Sequence, residues 1–209
     1  MVRHRVRLRF RKEGDLRWIS HRDLARTLER MFRRAGLPLS MSEGFHPKPR
    51  MSFPLALAVG IAGLDEVMEL ELSEEQSAEQ VLATLQSVAP SGLSFTSAAV
   101  IPPGTRKTQV QQVTYETPLP PDRRDQASAA ITSWLAEPTH LVRRASSGNT
   151  VDVRSYVESL AVIDGTLRFD VRVCGEGSAR PREVLEAVGL TDLEQHGLTL
   201  ARVRVEVLP

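Results

Sequence analysis

The sequence predicts an α+β fold of two tandem ferredoxin-like (βαββαβ) halves, residues 1–104 and 105–209, each an antiparallel sheet with helices on one face. Three observations lead there. Stretches of period-two alternation, which mark strands, are interleaved with stretches of helical period. Pro102-Pro103-Gly104 punctuates the chain near its middle. Beyond that break the order of elements recurs, although no residue-level repeat accompanies it.

The first strand is the clearest element. Val2, His4, Val6, Leu8 and Phe10 alternate with Arg3, Arg5, Arg7, Arg9 and Arg11, giving one mostly apolar face and one arginine face. Lys12-Glu13-Gly14-Asp15 breaks it. Ser20 is a good N-cap for the helix that follows. Asp23 stands three residues on as the capping acid, and Ile19 and Leu24 are spaced as a hydrophobic staple. Leu24, Leu28, Met31, Phe32 and Ala35 form the inward stripe of that helix, and Arg22, Arg26, Arg30 and Arg33 a basic one. Gly36 and Pro38 end it. Gly44, Pro47 and Pro49 then shape a restricted loop. Residues 51–59 read as a mostly apolar extended run, 67–72 as an alternating strand, 77–89 as a helix and 93–101 as the closing strand.

In the second half, 109–117 reads as a strand and 123–135 as a helix with Ala127, Ala130, Ile131 and Trp134 on one side. Residues 141–144 and 151–162 are extended. Asp164-Gly165 is a hairpin signal before the strand 167–173. A short helix over 182–188 and a last strand over 200–208 complete a second βαββαβ with one strand to spare.

Composition narrows the function classes. At 41% hydrophobic and 25% charged, 209 residues can bury a proper core. No apolar run reaches membrane-spanning length, and the basic N-terminal strand lacks the apolar core of a signal peptide, so the expected location is the cytoplasm, with no membrane partner. The single Cys174 excludes an internal disulfide and any cysteine-only zinc or iron–sulfur site in this chain, so no cofactor or metal is expected in it. The net charge of +1 hides an asymmetry: residues 1–50 hold 14 Lys and Arg against 5 Asp and Glu, which leaves the remainder net acidic. A basic face for an anionic partner, nucleic acid first, is one reading. Attraction between the basic and acidic parts of the chain is the other.

If Val6, Leu8 and Phe10 pack under the helices, Arg5, Arg7 and Arg9 lie on the open face about 6–7 Å apart, a row that can follow a phosphate backbone. Arg22 and Arg26 on the helix and Lys48 and Arg50 beside the loop extend the candidate nucleic-acid-binding set. Two histidines are candidate acid–base groups. His21 sits in the first helical turn, where it can equally fix the preceding loop by a hydrogen bond. His46 lies between Phe45 and Pro47 in a rigid loop that presents it. His4 reads as a core histidine and Cys174 as a packed strand residue. No His with Asp or Glu has metal-ligand spacing, and neither a phosphate-binding glycine loop nor a nucleophile elbow is present.

Residues 8–60 resemble the opening of the radical-SAM-linked (radical SAM-associated) protein family, a bacterial group of unknown function. The resemblance rests on a strand ending in basic residues, then Ser20, His21, Asp23 and Leu24 in an S-H-x-D-L helix start, then Ser42, Gly44, Phe45, Pro47 and Pro49 in S-x-G-F-x-P-x-P. It is close over residues 3–73 and diffuse afterwards. The family often carries a basic residue or Asn where this chain has His46. Its members occur fused to, or encoded beside, a radical SAM protein, so the resemblance implies an accessory partner of that enzyme. With one cysteine here, the cluster of such an enzyme belongs to the partner. The expectation is therefore an RNA-binding subunit that presents tRNA or rRNA to a radical SAM enzyme. A stand-alone, metal-independent endoribonuclease using His21 or His46 and a protein-interaction scaffold are the alternatives.

Overall fold

In the computed structural model, which describes residues 4–145, 148–175 and 177–208, the alternation of the first strand becomes the frame of the N-terminal unit. That strand, β1, runs His4–Lys12 and buries Val6, Leu8 and Phe10 on one side. Val2 and Arg3 of the expected strand lie outside the described residues. Around β1 stand α1 (His21–Arg34), β2 (Met51–Ser52), β3 (Ala62–Leu72), α2 (Ala78–Val88) and β4 (Leu93–Ile101). The strands lie in the order β4-β1-β3-β2, and every pairing is antiparallel. One apolar cluster joins Val6, Leu8 and Phe10 to Met68, Leu70 and Leu72 of β3, to Leu24, Leu28, Met31 and Phe32 of α1, and to Val81 and Leu85 of α2. Both helices therefore cover the same face, as their stripes predict. Ser77 caps α2 in a capping box with Gln80.

Two local expectations change. Lys12, expected to break the strand, belongs to it and is only 1% exposed. A buried ammonium needs acceptors, and Lys12 Nζ donates to the carbonyls of Ile19 at 3.0 Å and Arg17 at 3.5 Å, bracing the turn that leads into α1. The extended run expected over 51–59 is strand only at Met51 and Ser52. Pro54 lacks a ladder donor, and the segment is instead tied back by Gly60 N–H to the Arg17 carbonyl.

The chain divides into two compact units between Gln109 and Val110. This lies past Pro102-Pro103-Gly104 because residues 105–108 are hydrogen-bonded to the arginines of β1. The C-terminal unit contains β5 (Val110–Pro118), α3 (Arg124–Leu135), β6 (Leu141–Arg143), β7 (Thr150–Asp152), β8 (Val157–Ile163), β9 (Thr166–Arg172), α4 (Pro181–Ala187) and β10 (Ala201–Val207). Its sheet runs β10-β5-β9-β8, again antiparallel throughout, while β6 and β7 form a separate hairpin. Asp164 and Gly165 both have positive φ, 50° and 76°, which makes the tight turn between β8 and β9 that the dipeptide signals. Among the described residues the chain is thus α+β, with antiparallel sheets and four α-helices.

Two corrections concern this unit. The extended run expected over 151–162 is two strands, because Asp152 Oδ1 accepts from the His140 and Arg154 backbone N–H groups and folds Arg154–Tyr156 into a 3₁₀ turn. Cys174 is exposed rather than packed: it follows the end of β9 and pairs with Gly177 across a turn. Ser146 and Ser147 of the 141–151 connection lie outside the described residues. Within this unit Arg144 makes a two-pronged contact with the largely buried Glu183, at 2.7 and 2.8 Å. Burial pushes the Glu183 carboxyl up, but the Arg144 hydrogen bonds and the Arg180 backbone N–H outweigh it and hold it below its ordinary range.

The N-terminal core sets a direct test of this packing. Phe32 is fully buried between α1 and the sheet. Phe32→Ala should cost about 3–5 kcal/mol, read as a lowered denaturant midpoint at unchanged slope.

Candidate nucleic-acid interface

Helix α1 starts where its sequence says it should. Ser20 Oγ accepts from the Asp23 backbone N–H at 3.2 Å and donates to Asp23 Oδ2 at 2.7 Å. The capping fixes the rotation of the helix, and the burial of Leu24, Leu28, Met31 and Phe32 then forces Arg22, Arg26, Arg30, Arg33 and Arg34 outward, all exposed. Arg34 donates to the Val88 carbonyl at 2.8 Å, while the contacts of the others are weak or partial. Arg26 lies 3.5 Å from Asp23, and Arg33 lies 3.2 Å from Glu29. Such solvated pairs contribute little and leave the cations available to a ligand.

The S-x-G-F-x-P-x-P segment forms a finger at the end of the same unit. Leu39 bridges to Leu72, the Ser40 N–H donates to the Glu71 carbonyl, and the Arg50 N–H donates to the Ser40 carbonyl at 2.8 Å. Higher up, Met41 bridges to Pro49, and the Ser42 N–H donates to the Lys48 carbonyl at 2.8 Å. Lys48 N–H returns a bond to Ser42 Oγ at 3.0 Å. Gly44 sits at φ +116°, in a region glycine tolerates and other residues rarely adopt. At the tip Glu43, Phe45, His46, Pro47 and Lys48 are exposed, and Phe45 is 101% exposed. Arg50 is half-buried and roots the finger through Nε to the Met41 carbonyl at 3.1 Å. Arg33 of α1 donates to the Pro47 carbonyl at 3.4 Å, which joins the finger to the basic face of the helix.

Arg5, Arg7 and Arg9 stand elsewhere, on the face of β1 opposite the helices, and each meets a carboxylate of β3. Arg5 Nη2 donates to Glu69 at 2.6 Å, Arg7 lies 3.6 Å from Glu69, and Arg9 Nη1 lies 2.5 Å from Asp65. Arg5 also donates to the Thr105 carbonyl at 2.6 Å and Arg7 to Thr108 Oγ1 at 2.7 Å. Thr108 in turn donates to Glu69, which is 5% exposed. Burial pushes the Glu69 carboxyl up, but the Thr108 hydrogen bond and the guanidinium groups of Arg5 and Arg7 outweigh it and hold it below the usual carboxylate range. A cleft of about 320 Å³ opens beside this network, lined by Arg5, Arg50, Lys107, Glu69, Glu71, Met51 and Ser52. Its walls carry both signs of charge, unlike a groove that follows phosphates.

The remaining candidates are less connected. His21 packs edge-on against Phe53 with ring centres 4.8 Å apart, and Phe53 in turn packs on Phe10. His46 is exposed on the finger. Among the described residues no three His, Cys, Asp or Glu side chains gather as a metal site, and no helix is long and apolar enough to cross a membrane. Two features escaped the sequence reading. Glu69 and Asp65 are the partners of the arginine row, and the alternation Asp65-x-Val67-x-Glu69-x-Glu71 opposite the alternating arginines is the signal that could have found them. Trp18 is 58% exposed with the Arg17 guanidinium 4.8 Å above its ring, and only its place in the turn before α1 hints at it.

The comparisons place the chain without assigning it an activity. It belongs to the DUF2344 family, described as "Uncharacterized protein conserved in bacteria", which matches residues 5–181 and therefore takes in the finger, α1 and the arginine strand. No curated protein matches at a significant level. The chain is similar to a solved structure titled "Crystal Structure of an Unknown Protein from Galdieria sulphuraria", at 13% identity over 100% of both chains with a TM-score of 0.29. At that score the likeness carries no argument.

The Glu69 network generates a pH prediction. Its folded pKa lies below the unfolded value of about 4.3, so its contribution is fully present above that pH and is lost as the pH falls through the folded value. Glu69→Gln should lower stability at pH 7 by about 1.5–3 kcal/mol, the range for hydrogen bonds to charged groups. It should also flatten the acid limb of the stability–pH curve, measured by urea unfolding at stepped pH. Equal acid sensitivity in both proteins would show that Glu69 is not the titrating group.

Proposed function

We propose that the chain is an accessory RNA-binding subunit of the cytoplasm that presents tRNA or rRNA to a radical SAM enzyme. The observation that carries the RNA part is the surface built by α1 and the finger. Five exposed arginines lie along one helix, and beside them a rigid loop holds a fully solvated aromatic ring. Cations that contact phosphates combined with aromatic rings that stack on bases is the recurring chemistry of single-strand binding. The fold needs neither feature: the arginines add nothing to the core, and Phe45 touches none of it. The strand row of Arg5, Arg7 and Arg9 is assigned a structural role instead, since its charges meet Glu69 and Asp65.

Two further elements belong to the proposal. Each unit is a ferredoxin-like half, a reading supported by the βαββαβ order (in the C-terminal unit with the β6–β7 hairpin as an insertion) and by the strand orders β4-β1-β3-β2 and β10-β5-β9-β8, in which β1 and β3, and β5 and β9, are central. The partner enzyme is supported by the S-H-x-D-L and S-x-G-F-x-P-x-P signatures, and the chemistry that needs an iron–sulfur cluster would lie on that partner.

Fluorescence anisotropy with tRNA and rRNA fragments across a salt series tests the RNA reading. Arg22→Gln, Arg26→Gln and Arg30→Gln combined should weaken binding to every sequence and make log K against log salt shallower by about 2 units, at roughly 0.7 per lost single-strand contact. The corresponding Arg5, Arg7 and Arg9 triple variant should lower the melting temperature and leave that slope unchanged. A protein that binds none of these RNAs, or a slope carried by the strand row, overturns the assignment.

A further inference from the structure

Resting on the RNA reading above, we infer that the finger takes an unpaired nucleotide: Phe45 stacks on an exposed base while Lys48 and Arg33 face the adjoining phosphates. The substrate class is therefore RNA with unpaired or unstacked bases, such as a loop, bulge or single-stranded end, and not a continuous duplex.

The first support is the state of Phe45 itself. At 101% exposure no atom of the chain covers its ring, and both of its faces are open. The second is that its carrier is held in place. The Ser42–Lys48 and Ser40–Arg50 hydrogen bonds close the finger, Pro47 and Pro49 restrict it, and Arg33 ties it to α1. An aromatic ring on a preorganised loop loses little freedom on binding. The third is its surroundings. On the same finger Glu43, His46 and Lys48 are exposed and the Arg33 guanidinium reaches the Pro47 carbonyl, while no other large apolar side chain of residues 39–50 is exposed, Trp18 and Val59 lying outside it. A protein-binding hot spot is ringed by further apolar contacts that exclude water. An isolated ring on a loop that also carries Lys48 and meets Arg33 suits a flat π-face next to a phosphate.

RNA geometry then selects the substrate. In an A-form duplex the bases are stacked on one another and the major groove is too deep and narrow for side chains. A phenylalanine ring can reach a base face only where the stack is already open. Phenylalanine has no hydrogen-bonding group, so this contact prefers unpaired bases without selecting their identity.

The test uses the full chain, a labelled RNA stem-loop and a fully paired RNA duplex of equal length, with Phe45→Ala and Phe45→Trp. The wild type should favour the stem-loop. Phe45→Ala should weaken stem-loop binding roughly 5- to 150-fold, the range for losing one base–aromatic stack, with unchanged duplex affinity and unchanged salt slope because no charge is removed. Phe45→Trp should restore it, and both variants should keep the wild-type melting temperature. If the wild type binds RNA but Phe45→Ala changes nothing, or weakens duplex and stem-loop alike, the finger assignment fails while the RNA reading stands. If the wild type binds neither RNA, both fail together. If a Phe45-dependent interaction is instead found with a partner protein alone, the finger is a protein-docking element and the inference is overturned.

Discussion

The N-terminal unit depends on a constraint imposed by period two in β1. One side of the strand must be apolar to carry two helices, so its charges are forced to the other side as a closely spaced row. Three guanidinium groups about 6–7 Å apart repel one another unless countercharge is built in. Glu69 answers two of them and Asp65 the third, both from the neighbouring antiparallel strand. Thr108 adds a hydrogen bond to the same carboxylate, so the segment after β4 is fixed by the network that neutralises β1. The core on one face and the connector on the other thus share one strand as their origin.

That arrangement separates two uses of arginine that look alike in composition. The strand arginines are 20–30% exposed and lie 2.5–3.6 Å from carboxylates, where desolvation makes the pairing matter. The helix arginines are solvated, and their few ion pairs sit in high dielectric where they contribute little. A charge count over residues 1–50 cannot distinguish these cases. Burial and partners can.

How far the sequence could be read follows the range of the interactions involved. The N-cap at Ser20, the apolar stripe of α1 and the Asp164-Gly165 turn are decided within a few residues, and the structure has them where local rules put them. The bounds of β4 were equally legible. Lys12 was not, because its acceptors are the carbonyls of a turn whose path local rules do not specify. The extended run at 51–59 was misjudged for a similar reason: its apolar residues are placed by Pro54 and by a bond to Arg17, not by a sheet. The arginine row lies on the face of β1 opposite the helices, as its alternation requires, but its partners come from pairing β1 with β3 and from the connector after β4, both long-range choices. Within the finger the prolines announced rigidity, while the hydrogen bonds joining Ser42 to Lys48 and Ser40 to Arg50 became visible only in the fold.

The finger makes a stronger functional argument than the charge asymmetry that first suggested a nucleic-acid partner. An exposed charge needs no explanation, since water solvates it well. A fully exposed phenylalanine forgoes about 1.5–3 kcal/mol of burial, and this one is held out by backbone hydrogen bonds and two prolines. Local structure therefore works to keep the ring in water when a floppier loop would let it collapse onto α1. The finger and the basic stripe meet where Arg33 donates to the Pro47 carbonyl at 3.4 Å. That bond brings the Arg33 guanidinium to the finger, so a cation and the ring belong to one surface. Base stacking and phosphate contact can then be made by one rigid surface, which is the physical content of reading α1 and the finger as one site.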